Sequence, residues 1–396
     1  MSSEIIEQQE AFDDLCAHIR EVGKVAFDTE FVSEFTLHPQ LCLMQFATKD
    51  RQTSVDPFLV KDLTSWWQIM GDESIEVIIH GGREELKFCH HLGKIVPRNV
   101  FDVQLAEGLL GKGYPLSHAN LCRRVLGQVI HGEQTRTDWR ARPLSARQIE
   151  YAVEDVQYLL EIHRRQLKRL EKKKRTDWMT AEMDRMVYEV TRDDSEDRWR
   201  KLPGVSRLNR KAMHVARELF RWRMEEAEKL DRPPRRILRD DLLIDLAKRQ
   251  PKNVKDVTAT RGMEQSGIKN YALALLQVMK DAMKAPDDEW PTPEVDDNDF
   301  KAEEHVLGKL LGVALANQCA AQEVSLTLVC SHTDLRDFVR WYQNGAEEDR
   351  PKLAEGWRAE ICGNFMTDLL DGKISLRVAD PNSDHPLVFE DYRAHG

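Results

Sequence analysis

Asp28 and Glu30 stand two residues apart in Lys24–Val32, KVAFDTEFV, whose β-branched and aromatic residues predict a buried strand. Positions i and i+2 of a strand face the same side, so two carboxylates project together from an element otherwise suited to burial. Acidic side chains seldom enter a core without a partner. A bound cation would be such a partner; a solvated strand end is the structural alternative. A second pair lies in RTDWRARPLSARQIEYAVEDVQYLL. Ser145 followed by Gln148 has the form of a capping box and predicts a helix start, which puts Tyr151 and Asp155 at i, i+4 on one face. A phenol beside a carboxylate suits a site where one group binds metal and the other orients a water. A half-buried Tyr over a surface Asp has the same spacing. The third stretch, His80-Gly81-Gly82-Arg83-Glu84-Glu85-Leu86, reads as a strand end passing through two glycines into a helix. Glu85 falls in the first turn, where the helix dipole alone favours a carboxylate. His80, His90 and His91 have no metal-ligand spacing and read as packing or surface residues.

The elements that must position these groups have a coarse pattern. Leu41–Ala47, Val77–Ile79 and Val100–Val103 read as further strands with helical stretches between them, an α/β class. Beyond them the periodicity is helical almost throughout, as in Ala212-x-x-x-Ala216-x-x-Leu219-Phe220. The 396 residues allow two or three domains. A seam at TRDDSEDRW and the acidic, proline-bearing APDDEWPTPEVDDNDF place the expected boundaries at 1–190, 200–285 and 300–396. Charge is segregated: the chain carries a net −10, yet residues 164–175 hold eight basic and one acidic side chain, and 198–240 hold fourteen and six. Such runs suit an anionic partner, and the 164–175 run equally suits a solvated helix face. Seven scattered cysteines without a C-x-x-C pair read as free thiols of a reducing compartment rather than a zinc cluster. The apolar runs are too short to span a membrane and the amino-terminal stretch lacks a secretory pattern, so a cytoplasmic location is expected.

Together FDTEF, the H-x-x-x-x-acid segment, FDVQLA, TDWRARPL and YAVEDVQYL resemble, in order, the ribonuclease D family of 3′-5′ exonucleases, within the DnaQ-like superfamily. LFRWRMEEAEKLDRPPRRILRDDLLIDLAKRQP resembles the HRDC module, and LAEGWRAEICGNFMTDLLDGK the second helical domain of that family. The resemblance implies a ribonuclease-H-like α/β exonuclease domain followed by two all-α HRDC-like domains. It makes Asp28, Glu30, Glu85 and Asp155 ligands of two divalent ions, Mg or Mn, and Tyr151 the residue that orients the attacking water. It also implies trimming of RNA 3′ ends, such as those of tRNA precursors, with release of 5′-nucleoside monophosphates. An attacking hydroxide and a departing oxyanion both need positive charge, which two such ions can supply. Arg136, Arg140 and Arg142, with the two basic stretches, are expected to hold the RNA backbone. Two positions depart from the family pattern: Glu85 stands where Asp is usual, so its carboxylate is expected to shift outward, and Gly132 stands where a Lys is common. These leave a catalytically weak RNA-binding scaffold as an alternative, and a DNA 3′-5′ exonuclease is another. A monomer is expected, acting on RNA with a free 3′ end. No G-x-x-x-x-G-K-[ST] loop occurs, so no nucleotide cofactor and no helicase motor are expected.

Overall fold

Strand β2 (Lys24–Val32) divides its side chains between two layers. Phe27 packs 4.5 Å from the Trp66 ring and 5.2 Å from Phe46, while Ala26 faces the opposite layer and joins its core. The structure is a computed structural model and describes residues 5–111, 113–130, 137–192, 197–263, 268–292, 301–345 and 350–392. Arg136 and Gly132, both singled out in the sequence, lie outside the described residues.

The remaining elements of the α/β part are β1 (Ile5–Ile6), α1 (Gln9–Val22), β3 (Gln40–Ala47), β4 (Gln52–Val55), α2 (Thr64–Met70), β5 (Glu76–Ile79), α3 (Arg83–Gly93), β6 (Val100–Asp102), α4 (Val103–Leu110), α5 (His118–Leu126), α6 (Ala146–Gln157), α7 (Leu159–Lys173) and α8 (Thr176–Thr191). The strands form a mixed sheet in the order β1-β4-β3-β2-β5-β6. β3 and β4 run antiparallel, and β2, β5 and β6 run parallel. In register, Ala26 of β2 pairs with Ile78 of β5, and β5 ends one residue later. Asp28 and Glu30 therefore lie beyond the carboxyl end of the neighbouring parallel strand, the place where open α/β sheets bind ligands.

Contacts divide the chain into two compact units: Met1–Glu30, Cys42–Thr191 and Phe300–Gly396 form one, Phe31–Leu41 and Arg192–Asp299 the other. The second unit is helical, with α9 (Arg210–Leu230), α10 (Pro234–Ile237), α11 (Asp240–Arg249), α12 (Val254–Thr258) and α13 (Ala272–Ala282) around a core that includes Leu219, Leu243 and Leu275. Helices α14 (Ala302–Gln322), α15 (Leu326–Val329), α16 (His332–Gln343), α17 (Gly356–Cys362) and α18 (Phe365–Leu370) belong to the first unit, with a hairpin of β7 (Ile374–Val378) and β8 (Leu387–Asp391). Their core is continuous with that of the sheet's helices, and Trp178 of α8 stacks on Trp357 of α17 at 5.1 Å. Residues 300–396, which the sequence sets apart, share one core with the α/β part. Among the described residues no helix is long and apolar enough to cross a membrane.

Candidate active site

A tight turn brings the second acidic element to β2. Gly81 has φ +62°, a left-handed conformation that favours glycine. A Cβ on Gly82 would fall 2.4 Å from the Ile79 side chain. Asp102, only 1% exposed, pins the turn by accepting from the backbone N–H groups of Gly81 (3.0 Å) and Gly82 (3.1 Å), while its Oδ1 also caps α4 through Gln104 N–H (2.8 Å). Helix α3 thus starts where Glu85 reaches β2. The Glu85 carboxylate is buried and accepts a hydrogen bond from the Thr29 hydroxyl at 2.5 Å. Thr29 thus gives the longer Glu85 side chain a partner on the strand.

Helix α6 supplies the other side. Its capping box is formed as the sequence predicts: Ser145 Oγ accepts from Gln148 N–H, and Gln148 Oε1 accepts from Ser145 N–H at 3.0 Å. Tyr151 lies one turn before Asp155 on the same face, within reach of its charge, and His118 at the start of α5 places Nδ1 3.2 Å from Asp155 Oδ1, with both side chains largely covered. The Trp139 ring lies 6.2 Å from that of Tyr151 at an angle of 39°.

The electrostatics show that the four carboxylates share one field. Burial, followed by the charges of Glu85, Asp155 and Glu30, pushes the Asp28 carboxyl well above the usual carboxylate range. Burial and the charges of Asp155 and Glu85 push Glu30 up to about 8. Burial raises Glu85 to about 7 against the opposing hydrogen bond from Thr29. Burial and the neighbouring carboxylates, Asp155 first, raise the Tyr151 phenol as well. Like charges held together out of water disfavour ionisation, and a hard divalent cation with oxygen ligands relieves that cost. Carboxylate oxygens are the donor type such ions take, although among the described residues no three of them are closed around one point: Glu85 is turned to Thr29 and Asp155 to His118 and Tyr151.

The cations nominated from the sequence fare differently. Arg142 is a correction: its guanidinium is committed to Asp56 (2.5 Å), Cys42 O (2.7 Å), Trp139 O (2.8 Å) and Ala141 O (2.9 Å) and has no N–H left for a phosphate. Arg140 pairs with Asp138 at 3.0 Å. In the 164–175 run, Arg164 and Arg165 bind Glu161 and Arg169 binds Glu107. Arg175, 6% exposed, donates to Leu109 O and Gln322 O at 2.6 Å. Much of that run ties the first unit together, while Lys168, Lys172 and Lys174 are exposed. Sequence reasoning gave no role to Asp102, Thr29, His118 or Asp56. Only Asp102 had a signal, an N-cap type just before an apolar helix. His80 places Nε2 3.0 Å from Leu116 O, and its ring lies 5.6 Å from that of His118.

Comparison with known proteins places the fold in a family. Residues 3–171 match the model of the 3′-5′ exonuclease family and 212–279 that of the HRDC domain. Ribonuclease D of Bartonella henselae is 30% identical over 368 residues, covering 92% of this chain and 89% of that protein. Ribonuclease D of Escherichia coli K12 is 26% identical over 375 residues, covering 93% and 99%. The crystal structure of Escherichia coli RNase D, described as an exoribonuclease involved in structured RNA processing, superposes with a TM-score of 0.83 at 26% identity and covers 94% of this chain and 99% of that one. The catalytic core of RRP6 from Trypanosoma brucei shares the fold, with a TM-score of 0.55 at 22% identity over 72% of this chain and 80% of that one. The chain belongs to the ribonuclease D family of 3′-5′ exoribonucleases.

Proposed function

We propose that this chain removes nucleotides one at a time from the free 3′ end of RNA, tRNA precursors among its substrates, and releases 5′-nucleoside monophosphates. The observation that carries the reading is the set of recessed carboxylates, Asp28, Glu30, Glu85 and Asp155, where burial first and mutual repulsion second raise Asp28 and Glu30. These four side chains would hold two divalent ions, Mg or Mn. Bound there, the ions would supply the positive charge that the attacking and leaving oxygens require.

The side chains of this chain do the rest. Tyr151, kept protonated by its buried acidic surroundings, directs the attacking water through its hydroxyl. His118 faces Asp155 in the last turn of α6, and Asp102 holds the turn that delivers Glu85. Exposed cations such as Arg198, Lys201, Arg207, Arg232 and Arg236 of the second unit supply sequence-independent attraction for the backbone.

The test is incubation of purified protein with linear RNA, the same RNA circularised, and matched linear DNA, with Mg²⁺, Mn²⁺ or chelator. Mononucleotides from linear RNA alone, only with a cation, are expected. Products from circular RNA would refute the exonuclease reading, and equal cleavage of DNA would refute the sugar preference. No metal-dependent release from any substrate would favour a binding scaffold.

A further inference from the structure

The segment leading into α6 is fastened by one side chain. Arg142 Nε donates to Asp56 Oδ2 (2.5 Å), Nη2 to Asp56 Oδ1 (3.0 Å) and Cys42 O (2.7 Å), and Nη1 to Trp139 O (2.8 Å) and Ala141 O (2.9 Å). A guanidinium has five N–H donors, and all five are spent on the protein. Its Cζ also stands 4.7 Å from the centroid of the Phe58 ring. The acceptor is itself fixed. Asp56 is 2% exposed, its backbone N–H donates to Ile6 O of β1 (3.0 Å), and its Oδ1 accepts from Phe58 N–H (2.9 Å). One end of this clamp is therefore the sheet, through β1, β3 and β4. The other is the carbonyl of Trp139, whose side chain is 2% exposed and lies beside Tyr151.

We propose that Arg142 is a positioning residue for hydrolysis: by fixing Trp139 to the sheet it builds the wall against which the Tyr151 ring rests, and so sets the direction of the phenol hydroxyl. The proposal rests on the reading of Tyr151 as the residue that orients water. It assigns Arg142 no contact with RNA. A fork-shaped guanidinium suits this task, since it binds a carboxylate and three carbonyls in fixed directions. An ammonium is a point charge with three donors. Arg142→Lys therefore keeps the charge facing Asp56 but loses the hold on the carbonyls. Misdirection of a reacting group by about 1 Å costs on the order of 100-fold in rate.

The experiment is a double-mutant cycle. Turnover and KM on short single-stranded RNA at saturating Mn²⁺ are measured for the wild type, Arg142→Lys, Tyr151→Phe and the double variant. RNA affinity is measured across a salt series. Arg142→Lys is expected to lower kcat by about 10 to 100-fold, with KM and salt slope unchanged. In the Tyr151→Phe background the same substitution is expected to cost less than about two-fold, because the hydroxyl it aims is gone. Trp139→Phe provides an independent cycle with the same expected non-additivity, should Arg142→Lys fold poorly. Equal losses in both backgrounds would overturn the proposal and leave a purely structural clamp. A shallower salt slope would overturn it in favour of a phosphate contact. Wild-type turnover of Tyr151→Phe alone would remove the reading of Tyr151 itself, an outcome distinct from equal losses.

Discussion

Glu182 and the carboxylates at the end of β2, all in the first unit, have opposite fates. Glu182 of α8, 1% exposed, accepts from Trp357 Nε1 (2.8 Å) and Arg358 Nη1 (2.5 Å) and pairs with Arg185 at 2.7 Å. Burial works against its ionisation, but hydrogen bonds and charge from Arg358 and Arg185 overcome it and hold the carboxyl down at about 2. At the sheet end, burial and like charges push Glu30 up to about 8. Both places withdraw carboxylates from water, Glu182 fully and Asp28 and Glu30 in part; only Glu182 is given a countercharge. A buried carboxylate supplied with arginine joins elements and stabilises them, whereas carboxylates gathered without one store repulsion that only a proton or a cation relieves.

The strongest way to separate the two regions is Asp28→Asn. Hydrolysis should fall by about 10³-fold or more, since a charged group acting on the transition state is lost. Thermal stability of the metal-free protein should hold or rise, because one member of a repelling set is neutralised. Turnover near wild type would remove Asp28 from the site. Arg358→Met should do the reverse. It leaves the Glu182 charge buried without its main partner, a loss of about 3–5 kcal/mol in stability, while the folded fraction keeps its turnover at low temperature. Denaturant titration with parallel activity measurement checks both halves. Tyr151→Phe sits between them: stability and RNA binding stay unchanged and turnover drops by about 10 to 1000-fold, and an unchanged rate would make Tyr151 structural.

The smallest effect is in pH. Glu30 has a folded value of about 8 against an ordinary 4.5, so between these values the folded state binds more protons than the unfolded one. Stability of the metal-free protein should therefore fall as pH rises through that window. Glu182, folded at about 2 against 4.5, contributes stability above 4.5 that is lost as pH falls toward 2. The two regions thus weaken the protein in opposite directions. Melting curves of chelator-treated protein should show both flanks, and Glu30→Gln should flatten the alkaline one alone. Identical alkaline flanks in the two proteins would contradict the assignment.

The elements that carry the candidate site were legible because their signals are periodic. The i, i+2 pair Asp28 and Glu30 on a strand, the i, i+4 pair Tyr151 and Asp155 on a capped helix, and the glycine turn before Glu85 all carry local geometry. The strand over Lys24–Val32 and the start of α6 are where that geometry places them. The short strands β1 and β4 left no readable alternation. The task of Arg142 was not legible, since a surface-type cation in an irregular segment looks the same whether it meets a phosphate or a carboxylate 86 residues away. His118 and Thr29 act across elements, and no spacing along the chain encodes that. The charge run at 164–175 looked like a nucleic-acid surface, yet the partners Glu107, Glu161 and Glu323 come from before and after it. Residues 300–396 read as separate because helical periodicity reports that a face is buried, not against what; Trp357 and Arg358 find their partners in α8.

The central claim is that the carboxylates at the end of β2 are gathered for a cation, and calorimetric titration of Mn²⁺ into metal-free protein tests it most directly. At a pH between about 6 and 7, Glu30 and Glu85 hold protons to a large extent, so binding should expel them. The apparent enthalpy should then vary with the ionisation enthalpy of the buffer, affinity should tighten as pH rises toward about 8, and Asp28→Asn should abolish both effects. Binding of equal strength in wild type and Asp28→Asn, with no protons released, would contradict the account.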